Sequence, residues 1–188
     1  MKHAFVILVL VVSALAVTGQ INHQILITYF SRTNNTKILA EAVSRGVRSV
    51  KGVSLMIKSI AETTEQDLIN SDAIILGSPV YNANPAPEVL AFIEKWPFKN
   101  APLLNKIGAV FVTGGGISAG EELAQVNLLH SMMIFGMVVM GGGKWDSAFG
   151  ASAITGEEPF TGPIKEQFLK KGEGLGKRVA EAVLRWYK

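Results

Sequence analysis

The chain has 188 residues, 48% of them hydrophobic and 18% charged, with no cysteine and a formal net charge of +3. That length suits one domain large enough to bury a core unaided, and the absence of cysteine excludes catalytic thiols, thiolate metal sites, structural disulfides and a lipoprotein-type acyl anchor. So small an overall charge gives no argument for nucleic acid or an anionic membrane surface as a partner.

The positive mean hydropathy is concentrated at the start. Met1-Lys2-His3 precedes Ala4 to Val17, a run in which only Ser13 is not apolar, and Thr18-Gly19-Gln20 follows. The run is short for a membrane span, which needs about 20 apolar residues. A basic start, an apolar stretch of this length and small residues beyond it describe a secretory signal peptide. Cleavage after Gly19 or after Ala16 fits the pattern, and an uncleaved N-terminal anchor is the alternative. Residues 1–19 are therefore expected to be a signal peptide and 20–188 a single domain, exported to the periplasm, the secretory pathway or the exterior, with no stable membrane span once cleaved.

From Ile25 on, short apolar runs alternate with longer periodic segments, and no Pro- or Ser-rich linker divides them. Ile25 to Phe30 reads as a buried strand, followed by the polar turn Ser31 to Thr36. A helix follows over Lys37 to Val50, where Ile38, Leu39, Ala42, Val43 and Val47 recur at helical spacing. Strands are predicted at Val53 to Ile57 and Ala73 to Gly77, and a helix at Ala86 to Trp96, opened by Pro87. A fourth strand, Ile107 to Thr113, enters Gly114-Gly115-Gly116. Helix Gly120 to Phe135, a short fifth strand Met137 to Met140, and a last helix Pro163 to Tyr187, loosened at Gly172, Gly174 and Gly176, complete the order.

Strands apolar on both faces and separated by helices imply a parallel sheet covered on both sides. Five of them predict a three-layer, doubly wound α/β domain of strand order 2-1-3-4-5, with its ligand site beyond the carboxyl ends of the strands. Three loops lie at those ends. Ser31, Thr33 and Thr36, with free amides opening a helix, make a phosphate cradle favoured by the helix dipole, or else an ordinary helix cap. Pro79, Val80, Tyr81 and Asn82 offer an aromatic ring and backbone amides to a flat heterocycle. Thr113 to Gly120 lets backbone approach a ligand closely, because four glycines lack a Cβ.

These residues carry a resemblance. Ile27 to Thr36 resembles the flavodoxin phosphate signature, in which an aromatic strand end enters a Ser-x-Thr-Gly-Asn-Thr loop. Gly77 to Asn82, then Ala86-Pro87-Glu88-Val89, is similar to the Gly-Ser-Pro-Thr-Tyr loop and Pro-Glu helix start of the multimeric flavodoxins. Val112 to Gly116, Gly120-Glu121-Glu122, Phe135 to Val139 and Phe149 to Gly156 resemble segments of the same group. That group is the Trp-repressor-binding protein A (WrbA) type of NAD(P)H:quinone oxidoreductase. The likeness runs collinearly from Gln24 to Val183. It implies a flavodoxin-like fold and non-covalent FMN. Ser31, Arg32, Thr33, Asn34, Asn35 and Thr36 would hold the phosphate. Pro79, Val80, Tyr81 and Asn82 would contact the isoalloxazine and ribityl chain, and Thr113, Gly114, Gly115, Gly116, Ile117 and Ser118 the other edge of the ring. NAD(P)H would donate electrons and a quinone accept them, in a homodimer or homotetramer, with no catalytic side chain and no metal, since FMN carries the chemistry.

The chain departs from the family pattern at Asn34, where glycine is usual, at Val80, where Thr is usual, and at Ile134-Phe135, where paired histidines are usual. His130 reads as a helix residue facing solvent or a partner subunit. Trp96, Phe98 and Trp145 are candidates for an aromatic wall over the flavin, with core packing as the alternative role. Two other functions remain in view. A flavodoxin-like electron carrier would exchange single electrons with protein partners, although a side-chain charge of +2 on residues 20–188 speaks against the acidic surface such carriers use. A binding domain without cofactor is the third reading.

Overall fold

The protein is described by a computed structural model over residues 22–188. The apolar leader and both expected cleavage points lie outside the described residues. The elements in chain order are β1 (His23–Tyr29), α1 (Asn35–Arg48), β2 (Val53–Ser59), α2 (Glu65–Asn70), β3 (Ala73–Tyr81), β4 (Asn84–Pro85), α3 (Pro87–Ile93), β5 (Ile107–Gly114), α4 (Glu121–Ile134), β6 (Val138–Val139), β7 (Ala151–Ile154) and α5 (Glu166–Trp186). A 3₁₀ turn at Trp145–Ser147 lies between β6 and β7.

Sheet order is β2-β1-β3-β5-β6, with β7 also paired to β5 and β4 to β3. Every pairing is parallel except the β3–β4 hairpin. The expected three-layer fold is thus present with seven strands in place of five. Both extra strands have local causes. The predicted fifth strand, Met137 to Met140, is present as β6, paired with the start of β5 (Ile107 opposite Val138), whereas β7, which the sequence reading did not place, pairs with its end (Phe111 opposite Ala151) beyond a glycine-rich bulge. At the other addition, Asn82 and Ala83 both take positive φ, 50° and 62°, the geometry of a two-residue hairpin turn, and fold Asn84-Pro85 back onto β3.

Alternation along each strand feeds two cores. Ile25, Ile27, Ile75, Ala109 and Phe111 face α1 and α5, while Leu26, Leu76, Val110 and Val112 face α3 and α4. A parallel sheet covered on both faces requires this continuous apolar character. Every buried core residue in both clusters lies between Ile25 and Val183.

The last helix is not loosened at its glycines; it runs unbroken for 21 residues. One of those glycines, with one in α1, lets α5 lie against α1. A Cβ at Gly176 would sit 2.0 Å from the Val43 carbonyl oxygen, and one at Gly46 of α1 would sit 2.0 Å from that of Glu173. Only hydrogen fits at either contact. Helix α2, absent from the sequence reading, is six residues long and too short for a periodic signature, yet it carries a capping box: the Thr64 hydroxyl accepts from the Asp67 amide and the Asp67 carboxylate accepts from the Thr64 amide. Lys58 of β2 donates to the same carboxylate at 2.8 Å and holds it below the usual carboxylate range.

Gly176→Ala is expected to lower unfolding stability by about 1–3 kcal/mol or more, because backbone cannot move aside as a flexible side chain can. Gly174→Ala, whose Cβ would meet nothing within 4 Å, is expected to raise it by about 0.5–1 kcal/mol through helix propensity. Urea unfolding of both variants checks the pair.

Candidate functional site

In a parallel sheet all strands leave at the same end, so the loops after β1, β3 and β5 must share one surface. Four contacts tie them together. The Thr36 and Thr113 hydroxyls lie 2.8 Å apart and buried, joining the first turn of α1 to the end of β5. Arg32 donates to the Glu88 carboxylate at 2.7 Å, joining the first loop to the start of α3. Its guanidinium also lies 4.9 Å from the centroid of the Tyr81 ring, over the second loop. At Gly120 the chain turns with φ 97°, and a Cβ there would meet the Ala83 Cα at 2.4 Å, so the third loop is pressed onto the second.

The first loop is a set of donors. Asn34 takes the left-handed conformation at φ 66° in the position where the resemblance expects glycine, a geometry asparagine tolerates better than most side chains. Among the described residues, the amides of residues 31–36 have no protein acceptor, while the next amide, that of Lys37, donates to the Ser31 hydroxyl at 3.3 Å. Unpaired amides at the start of a 14-residue helix, with the positive end of its dipole behind them, have the geometry and field that suit an anion. Arg32 itself is occupied: the bond to Glu88 raises its already high pKa, and Glu88 is held below the usual carboxylate range by its own amide and by Arg32.

The second loop is fixed from beneath. The buried Ser78 hydroxyl accepts from the Ala86 amide at 2.9 Å and donates to the Pro79 carbonyl at 2.8 Å. Pro79, Val80 and Tyr81 therefore close β3 rather than float in a coil, and Asn82 opens the hairpin turn. The third loop is held by groups that sequence reasoning missed. The Glu157 carboxylate accepts from the Ile117 amide at 2.7 Å, and that of Glu121 accepts from the Ser118 amide at 3.3 Å. The Ser118-x-x-Glu121 spacing could have revealed the second. Nothing local links Glu157 to a residue 40 positions earlier. Around Gly115 a Cβ would meet nothing within 4 Å, and Ile117 is exposed at the rim.

All sixteen expected cofactor residues, from the three loops, thus sit on one end of the sheet. The aromatic candidates do not join them. Trp96 is buried in the core beneath α3, packed against Phe92 and Phe135, and Phe98 packs on Phe135 at the opposite end of the sheet. Trp145 projects into solvent from the bulge between β6 and β7, 92% exposed. His130 is exposed on α4, as expected.

The rim of the site is acidic. Glu62, Glu65, Asp67, Glu88, Glu121, Glu122, Glu157, Glu158 and Glu166 all lie in the loops or first helical turns at this end, where Arg32, Lys37, Lys58 and Lys165 are cations and Lys58 is paired with Asp67. A near-neutral whole-chain charge therefore conceals a negative surface around these loops. The donor set of residues 31–36 fits an anionic phosphate, and the open ground beside Gly115 fits a flat ring edge. Where FMN is bound here, the amides of the first loop would hold its phosphate.

The comparisons agree with this geometry. Residues 55–151 match the family model described as NADPH-dependent FMN reductase. A flavodoxin of Aquifex aeolicus (strain VF5) is 31% identical over 170 residues, covering 85% of this chain and 86% of the relative. A WrbA-like flavodoxin structure from Agrobacterium tumefaciens superposes with a TM-score of 0.70 at 20% identity, over 87% of this chain and 99% of that one. An NADH:FMN oxidoreductase in its apo form superposes at 0.68 with 14% identity, over 86% and 90% of the two chains.

Thr36→Val is expected to destabilise the fold by about 1–3 kcal/mol, since it leaves the buried Thr113 hydroxyl without a partner. The double variant with Thr113→Val is expected to recover most of that loss. A thermal unfolding double-mutant cycle measures it.

Proposed function

The chain belongs to the flavodoxin-like family of NADPH-dependent FMN reductases and flavodoxins, and from that premise we propose that it binds FMN without a covalent link and passes electrons from NAD(P)H to quinone-type acceptors. The observation that carries the reading is the row of unpaired amides at residues 31–36, folded over Asn34 onto the N-terminus of α1. FMN, when bound, supplies hydride acceptance and one- or two-electron release.

The chain's own residues do the rest. Ser31 to Thr36 donate to the phosphate while Thr36 keeps its hydroxyl on Thr113, so the loop stays in register with β5. Pro79 to Asn82, held by Ser78, present backbone and the Tyr81 ring to the ring system. Thr113 to Ser118 border the opposite edge, with the Glu157 carboxylate fixing the Ile117 amide so that this backbone is preorganised. The resemblance to the WrbA type supports a nicotinamide donor, a quinone acceptor and a homo-oligomeric state.

One observation favours a second reading. The carboxylates of Glu62, Glu65, Glu88, Glu121, Glu122 and Glu157 ring the loops, and a negative rim suits docking to a basic redox protein, as an electron carrier requires. It also repels the phosphates of a nicotinamide nucleotide.

Titration of the purified protein with FMN is expected to give a flavin absorbance band that is retained through desalting, and a colourless product would overturn both readings. The loaded protein is then mixed with NADH or NADPH and benzoquinone. Consumption of the nucleotide supports the oxidoreductase, and its absence leaves the carrier.

Residues 1–19 form, in the same proposal, a signal peptide that directs the domain out of the cytosol, on the strength of the apolar run Ala4 to Val17. N-terminal sequencing of the protein recovered from expressing cells is expected to begin at Val17 or Gln20. A start at Met1 would sink the cleavage.

A further inference from the structure

The end of the sheet opposite the three loops has a different character. Strands start there at His23, Val53, Ala73, Ile107 and Val138, and every helix delivers its carboxyl end to it. Its charged side chains are mainly cations. Arg48 and Lys51 lie in the turn into β2, Lys95 and Lys99 between α3 and β5, and Arg185 and Lys188 at the end of α5, all exposed. The acids there are Glu94, Glu181 and Asp72; Glu181 lies 3.9 Å from the Lys177 ammonium, and the Asp72 carboxylate is already engaged by His23 and the Gln24 amide.

Large apolar side chains stand among these cations. Phe98 is 66% exposed, Leu104 56%, Ile134 72% and Trp186 51%. They belong to one surface. Leu104 and Ile134 line a common hollow with Phe98, and the adjoining residues are paired, the Asn105 amide donating to the Gly136 carbonyl and the Val138 amide to that of Lys106. Val138 in turn shares with Ile107, Met140, Ala182 and Trp186 a groove of about 360 Å³ flanked by Arg178, Arg185 and Glu181. A contiguous apolar patch set among cations is unusual for a face meant only for water.

The chain also enters the fold here. His23 opens β1 at this end and stacks on Tyr187 at 5.3 Å, next to Trp186. Lipid chemistry matches each part: cations for anionic headgroups, and tryptophan, phenylalanine and branched aliphatic side chains for the boundary between headgroups and acyl chains.

We propose that the face bearing Phe98, Leu104, Ile134 and Trp186 among Lys95, Lys99 and Arg185 docks on an anionic lipid bilayer, leaving the three-loop end turned away into water. The face is built from residues 48–188, so it is offered with the leader present or removed.

Co-sedimentation with sucrose-loaded vesicles tests it, using phosphatidylcholine alone and phosphatidylcholine mixed with phosphatidylglycerol. The full chain and the chain starting at Gln20, which retains every core residue named above, are measured in parallel. The readout is the ratio of partitioning between anionic and neutral vesicles, which cancels neutral binding by the leader. The ratio is expected to exceed one by on the order of tenfold at low salt and to collapse toward one at about 0.5 M salt. Lys95→Glu with Lys99→Glu is expected to bring it to near one, Phe98→Ser with Ile134→Ser to reduce anionic-vesicle binding severalfold, and Glu65→Lys at the other end not to lower it. A ratio near one at low salt overturns the proposal. So does a ratio that the face variants leave unchanged. Sedimentation equilibrium without vesicles supplies the remaining outcome: a dimer that Phe98→Ser with Ile134→Ser converts to monomer assigns the patch to a second copy of the chain and overturns the lipid assignment.

Discussion

The parallel direction of the main sheet is the constraint from which the other features follow. With all five principal strands running one way, every strand-to-helix loop falls at one end and every helix-to-strand loop at the other. Helix amino ends therefore gather at the first, with their unpaired amides, and carboxyl ends at the second. The charge pattern follows the same rule. Acidic residues occupy the first turns of α2, α3, α4 and α5, and basic residues the last turns of α1 and α5. Each placement is locally favourable to its own helix dipole, by about 0.3–1 kcal/mol. Aligned by the sheet, they sum to a molecule negative at one end and positive at the other.

An anion held by the first loop, as proposed, would bind against that background. The loop's donors are neutral amides, and its own cation, Arg32, is committed to Glu88. Selectivity for an anion would then rest on directed N–H groups rather than on excess positive charge. That demands a loop of fixed shape, and the shape is set by distant contacts: the Thr36–Thr113 pair, the Ser78 hydroxyl under the second loop and the Glu157 carboxylate on the third. Placement of α1 itself depends on Gly46 and Gly176, since any Cβ would drive α1 and α5 apart.

Much of this was legible in the sequence, for identifiable reasons. Ile25 to Ile27 and Ala73 to Leu76 are apolar on both faces, which only a covered parallel strand requires, and the three loops follow from where such strands end. Other features were not legible. The six residues of α2 span less than two turns, so no period could develop, and their capping box was the one available signal. That residues 151–154 form a strand depends on β5 being long enough to accept two partners in succession, a property of the partner rather than of those residues. Glycines at 172 and 176 read as breaks by propensity, whereas contact with α1 gives them a packing role. Trp96 and Phe98 read as wall candidates because they are aromatic, but their position after α3 puts them at the far end.

The whole-chain charge misled for a related reason. It averages over a body whose two ends are separated by the length of a strand, roughly 26 Å for the eight residues of β5. The Debye length at physiological ionic strength is about 8 Å. A partner at one end therefore feels little of the other, and a sum over both describes neither encounter. Reading charge by sheet end rather than by chain recovers the two surfaces, and that needs only the strand order and the loop positions. The acidic rim and the cationic apolar face can then serve different partners at the same time, because nothing in their electrostatics couples them.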